Sequence, residues 1–283
     1  MSSVPEDRFR RSPVPLITHG ARRTVLRADD GVRVEALYEP SPGGGTAGPA
    51  IVVAHGFTGS LDRPAVRRAA QVFRQYAAVI TFSFRGHGGS GGRSTVGDRE
   101  VLDLAAAVRW ARSLGHGKVA TVGFSMGGSV AVRHAALYGD GSGSAHGGRT
   151  EANTAAHADA VAAVSAPARW YYRGTAPMRR LHWVVTRPAG RLVGRVGLRT
   201  RIHPRDWDPV PLPPVEAAAR LGTTPLLVVH GDRDPYFPLD HPRMLAGAAG
   251  DRGELWIEPG MGHAENAAAE TLLTRIGAWL VAA

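Results

Sequence analysis

The chain has 283 residues, enough for one large α/β domain with an insertion or for two small domains, and its 43% hydrophobic and 20% charged residues exclude both a membrane bundle and a wholly disordered polymer. It contains no cysteine, which removes disulfide frameworks, thiolate metal sites and thiol nucleophiles, so its chemistry rests on oxygen and nitrogen side chains. The formal net charge is +10, and residues 169–205 alone hold ten arginines with no aspartate or glutamate.

Residues 1–20 mix charges and prolines without the apolar run of a secretory signal, and no later segment reaches the roughly 18 apolar residues of a membrane span. The expectation is a cytoplasmic protein with a flexible N-terminal tail over 1–20. Thr24–Ala28 and Val32–Tyr38 flank Asp30-Gly31, a pair suited to the positive φ angles of a tight turn, and read as a β-hairpin. Short apolar runs then follow at Ile51–Ala54, Val79–Phe84, Val119–Gly123, Ala160–Ser165, Leu226–Val229 and Leu255–Ile257, separated mostly by segments of helical period. Val101, Leu104, Ala105, Val108 and Ala111 recur at helical spacing, as do Leu272, Leu273, Ile276 and Leu280. Strands alternating with helices predict an α/β fold with a mostly parallel sheet.

Two stretches interrupt the alternation. Residues 139–157 are rich in glycine and serine and read as a flexible loop. Residues 170–220, rich in arginine, proline and aromatics, are too long for an ordinary connection and read as a cap inserted into a core formed by 21–169 and 221–283. Within the cap Arg187, Arg191, Arg195 and Arg199 recur every four residues, yet Pro188, Gly190, Gly194 and Gly197 argue against a helix there.

Gly-x-Ser-x-Gly occurs twice, at Gly123, Ser125 and Gly127 and at Gly88, Ser90 and Gly92. Only Ser125 follows an apolar strand and precedes an alanine-rich helical segment, the setting that thrusts a serine out of a sheet edge. The same glycine-rich stretch carries Gly-x-Gly-x-x-Gly at Gly86, Gly88 and Gly91, but no helical period opens at its last glycine, so it reads as a loop and not as a dinucleotide site. Asp234, with Asp232 as an alternative, and His263 each lie just past a strand, where ligands and catalytic groups gather in parallel sheets. Neither metal-ligand spacing nor a phosphate-binding P-loop is present, and no cofactor is expected.

Taken in order, His55-Gly56-Phe57, Arg85-Gly86-His87-Gly88, Gly123-Phe124-Ser125-Met126-Gly127, His230-Gly231-Asp232-Arg233-Asp234 and Gly262-His263 resemble an α/β-hydrolase-fold serine hydrolase of the esterase, thioesterase and peptidase-like branch. Ser83 departs from that branch, which often has aspartate there. The resemblance implies Ser125 as nucleophile, His263 as general base and Asp234 as the acid that orients it, leaving Asp232 as a turn former. It implies an oxyanion hole from the backbone N–H groups of Phe57 and Met126, and assigns His55, His87 and His230 to loop hydrogen bonding. Trp170, Tyr171 and Tyr172 are candidate pocket walls.

The expected function is cofactor-free hydrolysis of a carboxylic ester, thioester or amide through an acyl-enzyme. Acyl transfer on the same scaffold is the alternative, and an aspartate-nucleophile dehalogenase or epoxide hydrolase is disfavoured by the serine at position 125. The expected partner is a small ester or acyl substrate, including an anionic one drawn by the basic cap, and that cap also suits contact with a membrane surface. No nucleic-acid partner is expected of a hydrolase. A non-catalytic module using the arginines for nucleic acid or anionic lipid is the competing class.

Overall fold

The computed structural model describes residues 20–43, 48–139 and 154–283. Eight strands form one sheet: β1 (Arg22–Arg27), β2 (Arg33–Glu39), β3 (Ala50–Ala54), β4 (Ala78–Phe82), β5 (Val119–Phe124), β6 (Ala160–Val164), β7 (Leu226–Gly231) and β8 (Gly253–Glu258). Their order is β1-β2-β4-β3-β5-β6-β7-β8, with β1 and β2 antiparallel to their neighbours and the remaining strands parallel. Every strand expected from the apolar runs is present, within a few residues of its expected bounds.

Strands β3 to β7 are buried along their whole length and mostly apolar because helices cover both of their faces. Val52 and Ala54 turn to one core, Ile51 and Val53 to the other, as a period of two requires. The first core receives α2 (Glu100–Ser113), α3 (Met126–Leu137), α6 (Pro214–Ala218) and α7 (Asp240–Ala249). The second receives α1 (Pro64–Phe73) and α9 (Glu270–Ala282), and the short α8 (Ala264–Ala267) leads into α9. The helical stripes seen in the sequence, Val101 to Ala111 and Leu272 to Leu280, are the buried faces of α2 and α9.

The β1–β2 turn differs from expectation. Only Gly31 has positive φ, and Ala28 both accepts from the Gly31 N–H and donates to the Val32 carbonyl. Three residues, Asp29 to Gly31, therefore make the connection, with the glycine taking the left-handed position of a bulge.

Between β6 and β7 the chain leaves the sheet. Thr175 caps α4 (Ala176–Thr186) through its hydroxyl, and α5 (Pro188–Val196) packs back on α4. Helix α5 forms despite its proline and glycines: Pro188 occupies the first turn, where its missing N–H is no loss. A side chain at Gly190 would strike the Trp183 carbonyl, so glycine is what lets the two helices close. The four-residue arginine stripe is only half realised, because Arg187 precedes α5 and Arg199 follows it with φ of 53°. Residues 214–220, expected in the cap, pack Ala217 and Ala218 into the first core beside Leu221.

The expected tail over 1–20 lies almost wholly outside the described residues, as does 140–153 of the expected glycine-rich loop. The last residues of that loop are packed, Ala156 being fully buried against Ala105 and Tyr138.

Candidate active site

The three residues singled out as nucleophile, acid and base come from three separate strand ends and meet. Ser125, between β5 and α3, sits at φ 52° and ψ −116°, a conformation L-residues rarely adopt. Its N–H is tied to the Val164 carbonyl at 2.8 Å. A side chain at Gly123 would run into the Gly127 carbonyl, and one at Gly127 into the carbonyl of Ala54, so both glycines are needed to hold the turn. The serine thus projects from the sheet edge at the N-terminus of α3, whose dipole favours negative charge nearby.

His263 Nε2 lies 2.9 Å from Ser125 Oγ, and its Nδ1 lies 2.7 Å from Asp234 Oδ2. Asp234 Oδ1 accepts from the backbone N–H groups of Tyr236 and Phe237 at 2.8 and 3.2 Å, which fixes the carboxylate plane. Burial works to raise the Asp234 carboxyl, but the hydrogen bond and charge of His263 with the Tyr236 N–H outweigh it and hold it below its ordinary value. It is an anion facing Nδ1, which selects the tautomer that leaves Nε2 free to take the serine proton. The turn carrying His263 is pinned in turn by Ser165, whose Oγ accepts from the Ala264 N–H at 3.0 Å.

The alternatives separate clearly. Ser90 is buried, donates to the Ser83 carbonyl at 2.5 Å and accepts from the Glu35 N–H at 2.9 Å, so it braces a loop. Asp232 accepts from the Gly260 N–H at 2.6 Å across a turn. In the Arg85–Gly88 loop, the Gly86 amide and carbonyl bond Gly91 and Arg201, and a side chain at Gly86 would strike the Arg201 carbonyl. The glycine-rich stretch therefore serves close packing against the segment at Arg201, consistent with its reading as a loop.

Phe57 and Met126 line one cavity with Ser125, and among the described residues neither backbone N–H donates to a protein acceptor. The Phe57 N–H is aimed by its neighbours. His55 Nε2 accepts from the Phe84 N–H at 3.0 Å, so Nδ1 carries the proton and donates to the Gly56 carbonyl at 2.7 Å. The Gly59 N–H bonds the same carbonyl at 2.9 Å. In a trans peptide the following N–H points the opposite way, so fixing the Gly56 carbonyl fixes the Phe57 N–H. Burial drives His55 down to about 3, keeping it neutral in this role. His87 braces the same turn, accepting from the Thr58 N–H at 3.3 Å, and His230 donates from Nε2 to the Phe237 carbonyl at 2.9 Å.

Sequence reasoning missed Glu265. Its Oε1 accepts from the Gly56 N–H at 3.2 Å, and a side chain at Gly56 would sit 3.4 Å from both Glu265 oxygens and from Ser125 Cβ. This buried carboxylate therefore holds the near end of the same turn. Its only sequence signal is its place two residues after His263, which carries no chemistry without the fold.

The cavity measures about 1000 Å³ including its open mouth. Trp170, Tyr171 and Tyr172 line it, with Met178, Leu181, Val185, Ile202, Trp207 and Phe237 among the other side chains of its mostly apolar wall. Trp170 is fixed by its indole N–H to the Pro211 carbonyl at 2.9 Å, and Trp207 by its own to the Thr95 carbonyl at 2.6 Å. Arg169, Arg191 and Arg205 supply cationic edges. Among the described residues no three His, Asp or Glu side chains converge as a metal site would require.

Comparison with known proteins agrees with this architecture. The chain is similar in structure to the esterase Pf2001 from Pyrococcus furiosus, with a TM-score of 0.67 at 20% identity over 92% of this chain and 89% of that one. It is similar to Est1E from Butyrivibrio proteoclasticus, with a TM-score of 0.60 at 17% identity over 92% and 99%. It is also similar to the esterase domain of a Rhodothermus marinus protein, with a TM-score of 0.61 at 18% identity over 93% and 96%. No curated protein matches it in sequence. The family model described as the alpha/beta hydrolase family matches residues 51–272, a span that holds every strand from β4 to β8 and all three converging residues, and the chain belongs to that family.

Proposed function

We propose that this protein hydrolyses carboxylic esters through an acyl-enzyme, with Ser125 as nucleophile, His263 as general base and Asp234 as the group that orients and stabilises the imidazolium. The observation that carries the reading is the unbroken line of Ser125 Oγ, His263 and Asp234 at 2.9 and 2.7 Å, at the mouth of an apolar cavity. His263 takes the serine proton as Oγ attacks the ester carbonyl, and the resulting oxyanion is met by the N–H groups of Phe57 and Met126. The imidazolium returns the proton to the departing alkoxide. Water, activated by the same histidine, then cleaves the acyl-enzyme.

The aromatic and aliphatic wall favours an ester with an apolar acyl or alcohol part, and Arg191 and Arg205, against the one carboxyl of Asp206 in the lining, favour a negative charge on the substrate's outer portion. Labelling with a fluorophosphonate tests the nucleophile. Wild type and Ser90→Ala are expected to label and Ser125→Ala not, whereas labelling retained in Ser125→Ala overturns the assignment. A p-nitrophenyl ester chain-length series is expected to favour medium over acetyl chains, and the preference should weaken in Trp207→Ala.

A further inference from the structure

Helix α5 is amphipathic in the reverse sense for a helix on a globular surface. Its buried positions are Gly190 and Gly194, turned toward Val184 and Ile202. Its apolar side chains lie on the opposite side and face out: Leu192 is 62% exposed, Val193 48% and Val196 73%. Trp183, on the helix packed against it, is 48% exposed. These four are half of the large hydrophobic side chains exposed among the described residues, and they fall on one helical hairpin. A patch of this kind marks a contact surface.

Its surroundings say what it contacts. Arg180, Arg187, Arg195 and Arg199 are exposed on the same hairpin and its flanks, and among the described residues none forms a salt bridge or a side-chain hydrogen bond. Of the ten arginines in 169–205 only Arg169 has an acidic partner among the described residues, Asp240 at 2.5 Å. Apolar side chains ringed by unneutralised guanidinium groups match an anionic lipid surface, where the aliphatic groups enter the acyl boundary and the arginines stay among the headgroups. A second copy of the chain would bring arginine against arginine. A nucleic acid would leave Leu192 and Val196 without a counterpart.

We propose that the outward face of the α4–α5 hairpin docks this protein on anionic membrane surfaces. Among the described residues no helix is long and apolar enough to cross a membrane, so the contact is peripheral. The same hairpin walls the cavity through Leu181, Val185 and Arg191, so docking brings that wall to the lipid. Resting on the function proposed above, this makes a lipid-dissolved ester the natural substrate class.

The test is co-sedimentation with vesicles of phosphatidylcholine alone and of equal parts phosphatidylcholine and phosphatidylglycerol. Wild type is expected on the mixed vesicles only, with binding that weakens as salt rises. Leu192→Asp combined with Val196→Asp is expected to lower partitioning at least tenfold, and Arg187→Gln with Arg195→Gln about thirty-fold. Both variants should retain wild-type circular dichroism and wild-type turnover of a soluble short-chain ester, since neither pair lines the cavity. Ser125→Ala should bind like wild type, so loss of hydrolysis and loss of docking are separable. No partitioning onto mixed vesicles, equal partitioning onto both, or no effect of the aspartate pair overturns the proposal. A dimer in solution that the aspartate pair dissociates would assign the face to self-association instead, and duplex DNA binding unaffected by that pair would assign the arginines to nucleic acid.

Discussion

Glu265 gives the sharpest test of how the turn beside Ser125 is held. Its Oε1 accepts from the Gly56 N–H at 3.2 Å, and the next peptide N–H, that of Phe57, is the donor proposed to meet the oxyanion. Glu265→Ala removes the acceptor and leaves a buried N–H without a partner beside a cavity, a loss of about 1–3 kcal/mol. The Gly56 carbonyl keeps its bonds from His55 and Gly59, so the turn loosens at one end and does not collapse. Complete loss of one oxyanion donor lowers kcat ~100–1000-fold, so partial misalignment should lower it about 10–100-fold with KM nearly unchanged. Glu265→Gln keeps an oxygen at the same reach and should restore kcat to within about threefold of wild type. Steady-state kinetics on p-nitrophenyl butyrate, paired with thermal melts, separate alignment from folding. If Glu265→Ala folds and turns over normally, or if Glu265→Gln is as impaired as Glu265→Ala, the carboxylate does not position this turn.

The elbow glycine offers a second test: Gly127→Ala drives a methyl group into the Ala54 and His55 carbonyls and should destabilise by about 2–3 kcal/mol while slowing fluorophosphonate labelling. Urea melts within about 0.5 kcal/mol of wild type would show that the turn has slack. Acid stability follows from His134, fully buried with both ring nitrogens unpaired among the described residues and driven by burial from 6.5 to about 3. Its folded-state pKa is lowered, so the unfolded chain binds the extra proton, and the stability it permits is full above about 6.5 and is lost as pH falls toward 3. At pH 5 that one residue weakens the fold by about 2 kcal/mol relative to neutral pH, and His134→Phe should flatten the decline between pH 6.5 and 4 in urea titrations. An unchanged slope would place the acid sensitivity elsewhere, His55 and His241 being the other buried histidines pushed down to about 3 and about 4. Hydrogen bonding and charge from His263 outweigh burial and hold the Asp234 carboxyl below its ordinary value, so it stays ionised where an ordinary aspartate protonates, and acylation in acid should not follow an ordinary aspartate's titration. Single-turnover acylation against pH reads this directly, and a fall that tracks an ordinary aspartate would contradict it.

Much of this protein is written in its local sequence. Apolar runs of five or six residues specify strands buried on both faces, and the three- and four-residue spacing in α2 and α9 specifies which side of each helix meets them, because these periods follow from backbone geometry alone. Gly123, Ser125 and Gly127 are legible for the same reason, since a strained turn tolerates few residue types. What the sequence leaves open is decided by distant chain. The strand before Ser125 and the helical segment after it set it apart from Ser90 locally, but what each serine bonds is set by distant chain, a pair of backbone partners for one and His263 for the other. The proline and glycines of α5 argue against a helix until α4 is present to pack into the space they leave, and only that packing turns Leu192 and Val196 outward. Glu265 has no meaning until a turn more than two hundred residues earlier folds against it. Sequence periodicity reports contacts a few residues apart, whereas an aligned proton path and an outward-facing apolar surface are relations between elements that only close when the sheet does.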